Sequence, residues 1–211
     1  MSTHHRLILA LVVALPLSVG ACKTVEPITA PWTDDFERKE IGPDYHNTGG
    51  PYRIENGKLR IKGAYNKPLW LNKPIPRNAE VSFEVRSDSP SGDIKVEIWG
   101  DGKTFAKHRG SYLASSYVFI FGGWGNSISA LCRLDEHGKD RKERRGVRVV
   151  KGKTYKWTIR RKGNNVSWLI DGKPFLAMDD TAPLEGKNHA YFGFNNWSSD
   201  LSFDNLSIKP L

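Results

Sequence analysis

Three groups of residues carry side chains suited to sugar chemistry. The first is Glu97, Trp99 and Asp101, which simple strand alternation places on one face, opposite Val96 and Ile98. A Trp between carboxylates suits a saccharide, because the ring stacks on a pyranose while the carboxylates accept its hydroxyls. The second is Gly122-Gly123-Trp124-Gly125-Asn126, where glycines beside an aromatic ring let a ligand approach the backbone closely. The third is Asn195-Asn196-Trp197, which sets amide donors and acceptors next to a stacking ring. Each group alone also reads as a structural turn, but together they repeat one chemistry on different strands. A fourth cluster, Asp135-Glu136-His137, has acid–base side chains and opens a basic run. Between residues 137 and 153 eight Lys and Arg stand against Asp140 and Glu143. A single His without a second at ligand spacing is poor metal chemistry, so this cluster is either a solvated loop or an anion-contacting rim.

The elements that must position these residues are strands. In Lys153–Asp180, Tyr155, Trp157 and Ile159 alternate with polar residues, and Val166, Trp168 and Ile170 do so again. Lys162-Gly163-Asn164-Asn165 and Asp171-Gly172 supply the turns between three antiparallel strands, the last running through Phe175. Upstream, Tyr52–Glu55 and Lys58–Lys62 flank an Asn56-Gly57 turn, and Leu69–Leu71 sits between prolines. Glu80–Ser87 alternates cleanly, as do Ile94, Val96 and Ile98. Ser115–Gly123 is apolar on both faces and reads as a strand covered on both sides. Ile128–Leu134 follows, then a charged excursion over Asp135–Gly146, with Val147–Val150 expected to resume the sheet. Ala190–Asn196 and Leu201–Lys209 close it. About a dozen strands without a long amphipathic helix predict an all-β protein, two antiparallel sheets packed as a sandwich.

The run from Tyr155 to "DGKPF" at Asp171–Phe175, with the closing Leu201–Ile208 strand, resembles the concanavalin A-like jelly rolls, the laminin-G, lectin and glucanase group. The resemblance covers Trp32 to Leu211 and implies carbohydrate recognition or cleavage. Glucanases of that group carry Glu-x-Asp-x-x-Glu on a strand. In Glu97-Ile98-Trp99-Gly100-Asp101 a Trp replaces the middle Asp and the second Glu is missing. Four residues of strand span roughly 13 Å, whereas a retaining pair needs about 5–5.5 Å and an inverting pair about 6.5–9.5 Å. Glu97 and Asp101 therefore form neither. A catalytic set would need Glu97 with Asp135, Glu136 or His137 from elsewhere. Sandwiches of this group often hold a structural calcium, for which Asp34, Asp35 and Asp204 are the candidate ligands, near the two chain ends such folds bring together.

The chain has 211 residues and a formal charge of +9, with 38% hydrophobic and 11% aromatic residues, enough for one cored domain. Residues 1–21 read as a secretory signal, with an apolar stretch from Leu7 to Val19 too short to span a bilayer. Val19-Gly20-Ala21-Cys22 resembles the lipobox of bacterial lipoproteins, with Val in place of the commoner Leu. That implies lipidation at Cys22, a tether over 22–31, a domain over 32–211, and attachment to a bacterial membrane, the outer one. Cys132 then has no partner and reads as a small buried apolar residue. The basic run lacks interleaved aromatics, which argues against nucleic acid. The leading expectation is a lipid-anchored jelly roll that binds glycan without catalysis or cofactor. A glycan hydrolase or lyase is the first alternative, and a structural envelope protein with no small ligand the second.

Overall fold

The computed structural model describes residues 26–110 and 112–211. The signal, Cys22 and the start of the tether lie outside them. In chain order the strands are β1 (Trp32–Asp34), β2 (Tyr45–Asn47), β3 (Arg53–Glu55), β4 (Lys58–Lys62) and β5 (Leu69–Leu71). β6 (Ala79–Ser87), β7 (Ile94–Gly100), β8 (Tyr117–Gly122), β9 (Ile128–Arg133) and β10 (Lys142–Arg145) follow. The last five are β11 (Thr154–Lys162), β12 (Asn165–Ile170), β13 (Lys173–Asp179), β14 (Tyr191–Asn196) and β15 (Asp200–Pro210). They form two antiparallel sheets. One runs β13-β12-β11-β6-β15-β4-β3, with β1 beside β15; the other runs β10-β9-β8-β7-β14-β5-β2.

Alternation and turn chemistry account for most of this. β6 and β11 alternate buried positions with half-buried or exposed ones as period two requires, because each has one face on the core. The β3–β4 hairpin turns at Asn56 and Gly57 and the β12–β13 hairpin at Asp171 and Gly172, all four with positive φ, the type I′ geometry that follows the strand twist. Between the sheets lies an aromatic core. Trp157 and Trp168 are fully buried with ring centroids 4.4 Å apart, and Phe119, Phe121 and Phe175 pack on Trp168. β8 is buried on both faces: Phe119 and Phe121 enter this core, while Val118 and Ile120 join Ala130 and Cys132 on the other face. Cys132 is free and buried, and burial pushes its thiol up to about 12, so it is a packing residue.

One expected strand is displaced. Residues 147–150 do not pair; the edge strand is β10, inside the stretch expected to be a charged loop. Val149 instead plugs the core, its N–H bonded to Asn126, and Val150 donates to the Tyr155 hydroxyl. The β-branched run favours a strand locally, but the register with β9 is met by Lys142–Arg145, and a charged edge suits an unpaired flank.

Candidate functional site

On the outer face of the second sheet, at the end where β7 begins, lies a cavity of about 390 Å³. Asp93, Lys95 and Glu136 line its floor, and Trp124, His137 and Trp197 line it nearer the surface. Lys95 projects from β7, fully desolvated, and its ammonium donates to Glu136 at 2.6 Å and to Asn66 at 2.9 Å. Burial works against its charge, but Asp93 and Glu136 outweigh that and hold its pKa above the ordinary value. Asp93 accepts from the Trp197 backbone N–H at 2.7 Å, and burial raises its pKa despite the charge of Lys95.

Glu97 lies on the same face of β7, two residues on, but does not open on the cavity. It is fully buried beneath Tyr112, which lines the cavity wall. One oxygen accepts from the Tyr112 hydroxyl and the Asn195 amide, both at 2.7 Å, and the other from Ser116 at 2.7 Å. Desolvation pushes its pKa up to about 7 against the pull of those three donors. Asn195 also reaches Asn66, so one hydrogen-bonded network joins Glu97, Asn195, Asn66, Lys95 and Glu136.

Trp124 is the exposed aromatic of the site, 37% accessible, on a single turn over Gly123–Asn126. Its backbone is left-handed, φ 49° and ψ 55°, a conformation a bulky residue adopts only when its surroundings impose it. Asn126 is what imposes it. Its side chain donates to Pro90 and Val149 carbonyls and accepts from the Val149 N–H, stapling the turn to two neighbouring loops. The Trp124 ring meets His137 edge-on at 5.8 Å and carries the Arg141 guanidinium at 4.8 Å. Trp197 packs edge-on against Tyr65 at 5.1 Å, and Arg109 lies over the Tyr65 ring.

The structure therefore brings together Trp124, Trp197, Glu136 and His137 at the cavity, with Asn195 and Glu97 in the layer beneath. Four expected site residues are elsewhere. Trp99 has φ 57° and is the extra residue of a β-bulge, since Gly100 and Ile98 pair with adjacent Tyr191 and Phe192. The bulge breaks the alternation and turns the indole into the core, 0% exposed, against Tyr117, with its N–H on the Pro76 carbonyl. Asp101 closes a turn instead, accepting from the Lys103 and Thr104 backbone and the Thr104 hydroxyl. Asn126 is consumed by its staple, and Asn196 by the Ala64 N–H and the Ser199 carbonyl. Asp135 lies beside the cavity but caps the His137 N–H.

The calcium ligands do not converge either. Asp34 is paired with Arg38 and accepts from Tyr45, Asp35 accepts from the Glu37 N–H, and Asp204 pairs with Lys58. Among the described residues no three His, Cys, Asp or Glu form a metal-binding group. Sequence reasoning missed Asp93, Lys95, Asn66 and Tyr112. Lys95 had a signal, since the alternation that turns Glu97 to the outer face of β7 turns Lys95 with it, whereas Asp93 stands before the strand with φ 60°. Asn66 and Tyr112 come from loops and had none.

No family model matches this chain, and neither does any curated protein. Solved structures do. A carbohydrate binding module from Bacillus subtilis superposes with a TM-score of 0.63 at 10% identity, over 81% of this chain and 98% of that one. A prokaryotic beta-1,3-1,4-glucanase (lichenase) from a mouse hindgut metagenome gives 0.58 at 10% identity, over 86% and 100%. The laminarinase from Flavobacterium sp. UMI-01 gives 0.57 at 10% identity, over 84% and 98%. The fold is the concanavalin A-like jelly roll. Its structural neighbours include both carbohydrate-binding modules and glycan hydrolases.

Proposed function

We propose that the cavity beside Trp124 binds carbohydrate and that the domain is a recognition module rather than a hydrolase. The observation that carries this is Trp124: a solvent-accessible indole held left-handed at the mouth of a hydrogen-bonding cavity. A strained aromatic stapled in place at a cavity rim has the properties of a sugar-stacking platform. The binder reading is further supported by the carboxylates. Glu97 is engaged by three donors of its own fold, and Glu136 is paired with Lys95. A second reading, glycan cleavage, is favoured by one observation: Asp93 and Glu136 both line the cavity. Loss of reducing-end release on Glu136→Gln, with binding retained, would establish it.

The same proposal places the module on a lipid at Cys22, exported to a bacterial envelope. Ile28 donates to the Pro74 carbonyl, Ile75 to Ala190, and Ala190 to Gly100, at the far end of β7 from Asp93. Seven residues of strand separate those ends by roughly 20 Å, so the described chain enters the domain at the opposite end of β7 from the cavity. A glycan array probed with the protein should give hits that Trp124→Ala abolishes while the melting temperature stays within about 2 °C, since an exposed side chain contributes little to stability. An array with no hit overturns the binding reading.

A further inference from the structure

We infer that the ligand is an acidic glycan, with a hydroxyl-rich residue in the cavity and its anionic group over the edge strand β10. This rests on the carbohydrate reading above. The chain concentrates its charge in the segment that contains β10: residues 137–153 hold eight Lys and Arg against two acids, +6 of the total +9.

Register places part of this charge on the cavity side. Ile120, a cavity residue, pairs with Ala130, and Ala130 pairs with Glu143. Directly paired residues share a face, so Glu143 projects on the cavity side two strands from Ile120, about 10 Å away. Arg145, two residues on, projects the same way, and Arg141 reaches that side to lie on the Trp124 ring. Both guanidiniums share the one carboxylate, Arg141 through two nitrogens to one Glu143 oxygen at 2.5 and 2.6 Å and Arg145 to the other at 2.9 Å. Arg141 spends its remaining nitrogen on the Glu136 carbonyl at 2.7 Å. Arg145 spends one nitrogen only, and its side chain is 65% exposed. The fork therefore has spare donors in the geometry that takes a carboxylate or sulfate bidentately. Lys142 and Arg144 alternate to the opposite side of β10, and Arg144 is occupied by Phe175.

The cavity floor sorts the ligand in the complementary sense. Asp93 and Glu136 flank the single ammonium of Lys95, so the floor carries no excess positive charge to hold an anion. Hydroxyls are accepted inside and the anion is directed to the rim. Trp124 bridges the two, with its ring between the cavity and Arg141. A glycan stacked on that indole runs from one environment to the other.

The test uses the full chain and three polymers: polygalacturonate, alginate and chondroitin sulfate, each beside its carboxyl-reduced or desulfated counterpart. Phosphatidylglycerol vesicles form a fourth arm, run with the Cys22→Ala protein so that an acyl chain plays no part. Binding is read by quenching of tryptophan fluorescence. At least one acidic polymer should bind tenfold or more tightly than its neutral counterpart, and raising salt from 50 to 500 mM should abolish most of that preference. Arg145→Glu should remove the preference without moving the melting temperature. Carboxylate and sulfate sources are separated by which polymer of the panel responds. Equal binding of acidic and neutral forms, an Arg145→Glu protein with its preference intact, or vesicles bound as tightly as any polymer overturns the inference. Neutral array hits without any acidic preference sink this inference alone; an array and panel both blank sink the carbohydrate reading with it.

Discussion

Replacing Glu97 by Gln should stabilise this protein above neutral pH and leave it unchanged in acid. The carboxyl is fully buried and its pKa rises from 4.5 to about 7 on folding, with desolvation the largest cause. Below pH 4.5 it is protonated in the folded and unfolded chain alike and contributes no pH dependence. Between 4.5 and 7 the unfolded chain releases a proton the fold retains, so stability falls as pH rises and levels off above about 7. At roughly 1.4 kcal/mol for each tenfold change in proton affinity, the gap costs about 3 kcal/mol at pH 8. That is a large share of the 5–15 kcal/mol typical of a domain, and about 6–12 °C in melting temperature at this size. Gln keeps the shape and the neutral charge. Its oxygen can accept from Tyr112 and Asn195, and the Ser116 hydroxyl can turn to accept from its amide. Lys95 keeps Glu136 as its direct partner, so the change strands no charge. Urea unfolding of both proteins at pH 4 and pH 8, followed by tryptophan fluorescence, measures the difference. A variant less stable at pH 8, or a gap of the same size at both pH values, would refute the assignment of Glu97 as a buried acid held against its own ionisation.

Trp99→Ala, Trp157→Ala and Trp168→Ala should each cost about 3–5 kcal/mol, since all three indoles are fully buried; thermal unfolding reads this directly. Trp168→Phe should cost distinctly less, because the Trp168 N–H has no hydrogen-bond partner and the swap removes an unpaired buried donor. Asn126→Ala leaves buried Val149 groups unpaired, at about 1–3 kcal/mol for each. It should lower the melting temperature and, by releasing the Trp124 turn, glycan affinity as well; affinity left intact would dissociate the staple from the site. Mass spectrometry of the mature protein should find acylated Cys22, and Cys22→Ala should move it from the membrane to the soluble fraction.

Period-two alternation and paired turn residues made most strands, both type I′ hairpins and the buried Trp157 and Trp168 legible without coordinates, because each depends on neighbours within a few residues. The same local rule failed at Trp99. A bulge is decided by how β7 meets β14, and one left-handed residue there sends an indole expected beside a ligand into the core. It failed again at Val147–Val150, where strand propensity lost to a register set by β9. Residue type did pick out Trp124, Trp197 and Glu136 as chemically able. Only the tertiary structure decided that they share a cavity with Asp93 and Lys95, and that Tyr112 seals Glu97 out of it. Those contacts join loops and strands far apart in the chain, and such contacts leave no periodic trace in a sequence.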